Sequence, residues 1–339
     1  MNSPARSIAA GVLLLIGITA SVLFVIARDE SGRAGAIPAG PATPTPIVDS
    51  GFDSGGPSPP ESPDAPTVQT TEIGDVDWLR RYHESTDDFV LARDLGAAAV
   101  LGHPRAQHLL AEVLLRCEIH ERTLAPYTEG TVAQRVERHL ASQPHGLEQS
   151  RAKFRREALR CAKLFGEDPL ADYDLPEEAK DFRYWSSLAV ASKDPVAVMG
   201  RAFQTVANRP STPDAEQDRV LREALLADIR VAVSSRDAAA LFKVGGLLAY
   251  PSVGANPETG YAWQVAACAA GYDCSLANPD WGFECVESGA CLAGETWLDT
   301  LQRDLGAAKY AEIYAQAQDI QYKVSSGDWD GLQQYIDIR

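Results

Sequence analysis

The chain has 339 residues, of which 45% are hydrophobic and 23% charged. That composition supports a packed core in one large domain or two small ones, and excludes a wholly disordered chain. A formal net charge of −16 argues against binding a phosphate backbone, which needs clustered Lys and Arg, so no nucleic-acid partner is expected.

Taken in chain order, residues 1–7 read as a short cytoplasmic terminus carrying Arg6. Residues 8–27, "IAAGVLLLIGITASVLFVIA", are twenty positions without a charge. At about 1.5 Å per residue they just span a hydrocarbon core of about 30 Å, and they are expected to form a single transmembrane helix. The stretch is longer than the apolar region of a cleavable signal, although Val25-Ile26-Ala27 imitates a cleavage site and leaves removal open. Residues 28–71 read as a Pro/Gly-rich linker, with nine prolines between positions 38 and 66. Such a stretch has no apolar periodicity and stays extended and solvated.

From residue 72 to 339 the pattern changes to apolar positions three and four apart. "DFVLARDLGAAAVL", "RAQHLLAEVLLRC", "RAKFRREALRCAKLF", "EEAKDFRYWSSLAVA", "RVLREALLADIRVAV" and "KYAEIYAQAQDIQYKV" all fit helices. Pro104, Pro176, Pro195, Pro213 and Pro257 stand where a first helical residue belongs, and Gly102, Gly166 and Gly271 where helices end. The fold class predicted is all-α, with about a dozen short helices.

Three segments align with one another: "AAAVLGHPRAQHLLA", "LAVASKDPVAVMGRA" and "AVSSRDAAALFKVGG". Ala98, Ala189 and Ala232 each precede Ala106, Ala197 and Ala240 by eight residues, with Gly102, Lys193 and Arg236 between them. The reading is helix, tight turn, helix, with alanine where helices approach closely. Trp185 stands four residues before Ala189, and Trp263 four before Ala267, which Gly271 follows by four. This spacing places Trp, Ala and Gly along one helical face.

"AAAVLGHPRAQHLLAEVLL" resembles the Sel-one-like repeat, a relative of the tetratricopeptide repeat. The resemblance covers about residues 86–117, 181–205 and 229–275 and is degenerate. Lys193 and Arg236 replace the turn glycine and Ala111 a small Gly, while Gly245 keeps that position. It implies a helical-pair repeat domain, an α-solenoid whose concave face binds a protein or peptide. "CAAGYDCS", "ECVESGAC" and "GDWDGLQQYI" also look like stretches of uncharacterised membrane-anchored proteins of Gram-negative bacteria.

Six cysteines follow the apolar segment: Cys117, Cys161, Cys268, Cys274, Cys285 and Cys291. Zinc sites favour pairs two to four residues apart, often with His, whereas Cys268/Cys274 and Cys285/Cys291 have five intervening residues and no His follows His145. Structural disulfides are therefore expected, which require an oxidising compartment and place the large domain on the periplasmic side of an inner membrane. The expected pairing is Cys117 with Cys161, and the last four among themselves, with bridges joining the two units preferred.

Catalytic chemistry has no motif here. The histidines lack metal-ligand spacing and read as surface residues. Glu177, Glu178 and Asp181 fit a helix start, and Asp328 a cap with Trp329 packed beside it. No cofactor and no metal are expected. The function expected is a membrane-anchored periplasmic scaffold or adaptor. An envelope hydrolase with a dispersed acidic site, or a membrane-anchored folding factor, stays open as the alternative.

Overall fold

The computed structural model describes residues 78–142, 148–209, 214–254, 256–275, 278 and 295–338. The expected transmembrane helix, the linker, Pro213, Cys285 and Cys291 lie outside the described residues. The described chain is all-α: thirteen α-helices and two short 3-10 turns. They are α1 (Trp78–Glu84), α2 (Asp88–Val100), α3 (Pro104–Leu124), α4 (Val132–Ser142), α5 (Glu148–Arg160), α6 (Phe182–Ala191), α7 (Pro195–Ala207), α8 (Ala215–Ser235), α9 (Ala238–Ala249), α10 (Pro257–Ala269), α11 (Trp297–Leu305), α12 (Ala307–Ser326) and α13 (Trp329–Leu332). None of the described helices is long and apolar enough to cross a membrane.

Pro104, Pro195 and Pro257 each open a helix behind a capping side chain: His103, Asp194 and Asn256. Pro supplies the helical φ, and its missing N–H is one of the donors a helix start leaves unpaired anyway. Two expected helices are shorter than their apolar pattern. Residues 177–191 are split by Asp181, whose carboxylate accepts from the Arg183 amide and starts α6 afresh after a 3-10 turn. The Asp side chain thus competes with the continuing backbone bonds. Residues 151–165 stop as α5 at Arg160, and Gly166 closes the turns beyond it rather than the helix.

The main packing follows chain order but passes over the α4–α5 hairpin and α11. α2 lies on α3, α3 on α6, α6 on α7, α7 on α8 and α9, α9 on α10, and α10 on α12. One apolar cluster runs from Trp78 to Trp185 and a larger one from Val196 to Ile338. A satellite of Leu124, Val136, Leu140 and Ala158 holds the α4–α5 hairpin against α3. The α9–α10 crossing is backbone against backbone. A Cβ on Gly245 would sit 2.6 Å from the Gly260 carbonyl oxygen, and one on Gly260 2.5 Å from the Gly245 oxygen. Only glycine at both positions allows that approach.

The chain end folds back onto this region. Trp263, fully buried, donates its indole N–H to the Tyr335 carbonyl at 2.9 Å. Asp328 caps α13 by accepting from Gly331, and Arg230 lies over the Trp329 ring. An isolated antiparallel bridge joins Gly254 to Ile338.

Candidate functional site

The residues of the aligned segments come together at the turns. Gly102, Lys193 and Arg236 all adopt positive φ, at 86°, 59° and 58°. Four residues before each, Ala98, Ala189 and Ala232 are buried; four residues after each, so are Ala106, Ala197 and Ala240. The shared geometry has a shared cause. After the positive-φ residue, His103, Asp194 or Asp237 turns its side chain onto the amide of Ala106, Ala197 or Ala240. The His103 amide reaches back to the Ala98 carbonyl at 3.1 Å and the Asp194 amide to Ala189 at 2.9 Å. These bonds satisfy the last carbonyls of the preceding helix. Gly271, at φ 104°, closes α10 the same way, with the Tyr272 amide bonded to the Ala267 carbonyl. Trp185 and Ala189, like Trp263 and Ala267, are buried one turn apart.

Arg105 ties the three turns to one another. It is the second residue of α3, where the helix dipole favours an acid rather than a base. Its guanidinium forms an ion pair with the Asp194 carboxylate at 3.0 Å and donates to the Asp237 carboxylate. Each of those carboxylates uses its other oxygen to cap its own helix. Asp194 is 2% exposed, so its charge is met by backbone amides and one arginine inside the protein. Gln107 adds a second link: it donates to the Ala99 carbonyl and accepts from the Ser192 hydroxyl. The starts of α3, α7 and α9 therefore lie side by side on one edge. Arg105 and Gln107 escaped the sequence reading; a basic residue in a helix's first turn was the one signal available.

A second cluster surrounds Asp88, which is fully buried. Arg116 donates to one carboxylate oxygen at 2.9 and 3.2 Å, Arg160 to the other at 2.8 and 3.1 Å. Arg116 also donates to the Tyr82 hydroxyl and lies over its ring. Burial opposes the charge on Arg116, but Tyr82 and Asp88 outweigh it and hold the guanidinium above its ordinary value. Cys117 and Cys161 are bonded beside this carboxylate, with Cα atoms 5.2 Å apart. The Asp88 oxygen and the two sulfurs lie close enough to suggest a metal triad. The sulfurs are joined in a disulfide and offer no thiolate, and the carboxylate is held by two arginines, so the cluster is a lock between α2, α3 and the end of α5.

The second bridge corrects an expectation. Cys268 is bonded to Cys274, with Cα atoms 5.8 Å apart, so it closes a loop within one unit and does not link the two units. The positive φ at Gly271 turns the chain back sharply and returns Cys274 to the helix end it has just left. The structure corrects the histidines too. His108 and His120 are buried, and His103 caps α3. His120 sits 3.5 Å from Glu157, with Phe154 edge-on to its ring and in tilted contact with His139. Burial would raise the Glu157 carboxyl, yet His120, Lys153 and Arg116 hold it below its usual value.

No family model, no curated protein and no solved structure matches this chain.

Proposed function

We propose that residues 78–338 form a degenerate helical-repeat domain acting as a protein-binding scaffold. The observation carrying this reading is the edge where Arg105 joins the caps of α7 and α9. Equivalent turns stacked at one edge are how helical-pair repeats add to one another, and such stacks present extended faces suited to peptides or protein surfaces. The resemblance of residues 86–117, 181–205 and 229–275 to Sel-one-like repeats supports the same reading. So does the chain order in which the main helices pack.

We further propose that residues 8–27 anchor the chain in an inner membrane, with the helical domain on the periplasmic side. Support comes from the uncharged twenty-residue segment and from the two disulfides, which persist in an oxidising compartment.

A photo-crosslinking residue introduced in turn at exposed Val90, Leu101, Val220 and Tyr322 tests the scaffold reading in the native envelope. A single protein captured from neighbouring helices, and binding the purified full chain with a measurable Kd, is the expected result. Capture at every position alike, or no measurable Kd, would overturn it. A reporter fused after Arg339 tests the location: activity of a reporter that works only in the cytoplasm sinks the periplasmic assignment.

A further inference from the structure

The chain's acidity conceals a basic hairpin. Residues 132–163, which hold α4 and α5, carry eight Lys and Arg against three Glu; the rest of the chain carries 23 against 44. The hairpin is thus +5 on a molecule whose remainder is −21. Part of this charge is consumed internally. Arg160 and Lys163 pair with Asp88 and Asp87, Arg155 with Glu137 and Lys153 with Glu157. Among the described residues no carboxylate pairs with Arg135, Arg138 or Arg156. Arg135 and Arg138 instead donate to the Leu124 and Glu129 carbonyls, and Arg138 and Arg156 are exposed.

The position of the hairpin indicates its occupant. Arg160, at its base, donates to the Tyr82 carbonyl and to Asp88, and Lys163 to Asp87. The base of the hairpin therefore adjoins α1, the first described helix, which begins at Trp78. The rest of α5 extends roughly 20 Å from there, at about 1.5 Å per residue. The basic surface thus adjoins the helix that follows the expected anchor and linker in the chain.

We propose that the α4–α5 hairpin docks the helical domain against the anionic lipid surface in which the chain is anchored; this rests on reading residues 8–27 as that anchor. Arginine is suited to the role because its planar guanidinium binds phosphate through two N–H groups at once. Basic residues near a charged bilayer act additively and are weakened by salt. The binding needs no pocket, only exposed cations on a rigid support, which the Leu124–Val136–Leu140–Ala158 packing supplies. A competing occupant is the acidic segment 28–77, which has nine Asp and Glu against two Arg.

The test is hydrogen exchange of residues 132–142 in the full chain, in vesicles of phosphatidylcholine alone and in vesicles with phosphatidylglycerol added. Anionic vesicles are expected to slow exchange, an effect lost at high salt. Arg138→Gln with Arg156→Gln should lower the lipid-dependent protection about 30-fold, since each cation near the surface is worth about fivefold. Equal protection in both vesicle types would overturn the proposal and favour the acidic segment as occupant. Flotation after alkaline extraction reads the anchor separately. A chain that does not float is added to preformed vesicles, where the same comparison decides the docking.

Discussion

At the residue scale, two side chains occupy conformations their chemistry disfavours. Lys193 and Arg236 take the left-handed conformation that Gly102 adopts at the equivalent turn, which costs a residue with a Cβ about 1–2 kcal/mol. The loss is tolerated because the capping carboxylates of Asp194 and Asp237, anchored on Arg105, determine where the next helix begins. Lys193→Gly should raise stability by about 0.5–1 kcal/mol, and Gly102→Ala should lower it by about 1 kcal/mol. Urea unfolding of the oxidised protein measures both.

Asp88 sits at the opposite extreme, a fully buried charge whose two oxygens are each held by an arginine. Removing one member of a buried ionic cluster leaves the others uncompensated, so Asp88→Ala should cost about 3–5 kcal/mol. Replacement of all three charged members by apolar residues should cost much less. His139 gives the pH dependence. Burial first, and neighbouring His120 second, push it below its ordinary value of 6.5. The unfolded chain therefore takes up a proton before the folded one does. Stability contributed by neutral His139 is complete above about pH 6.5 and declines as pH falls toward the depressed folded value. Thermal midpoints compared near pH 7.5 and 5.5 should converge in His139→Gln relative to the parent.

At the scale of elements, the α9–α10 crossing depends on absent side chains. Gly245→Ala would drive a methyl into the Gly260 carbonyl and the Gln264 amide, at 2.6 and 2.8 Å. Both are backbone atoms, which cannot rotate away, so the helices must separate. The expected cost is about 1–3 kcal/mol, in the range for overpacked sites, with faster amide exchange across both helices. Ala111, at the position aligned with Gly245, lies buried among the side chains of its own cluster.

At the scale of the whole molecule, the two bridges do different work. Cys117–Cys161 closes a separation of 44 residues and Cys268–Cys274 one of six. Chain-entropy estimates give about 4 kcal/mol for the first and about 2 kcal/mol for the second. The first also fastens the α4–α5 hairpin to α3 beside the Asp88 cluster. Replacing both Cys117 and Cys161 by Ala should therefore lower the thermal midpoint clearly more than replacing Cys268 and Cys274. Calorimetry of the two double variants makes that comparison; equal midpoints would deny the longer bridge its larger share.

The helical class, the Pro-opened starts of α3, α7 and α10, and the alignment of Gly102 with Lys193 and Arg236 were all legible in the sequence. Each rests on local chemistry: apolar period, capping side chains and the backbone preferences of Pro and Gly act within a few residues of chain. The break at Asp181 escaped because an apolar pattern does not reveal which carboxylate will cap. Cys268 and Cys274 announced a bridge, but their direct pairing depended on the reversal at Gly271, which brings Cys274 back to the end of α10. Arg105 between Asp194 and Asp237, and Asp88 between Arg116 and Arg160, were decided by tertiary structure alone. Their partners lie tens of residues away in sequence, and only the packing of α3 against its neighbours brings opposite charges within bonding distance while excluding the water that would otherwise solvate them.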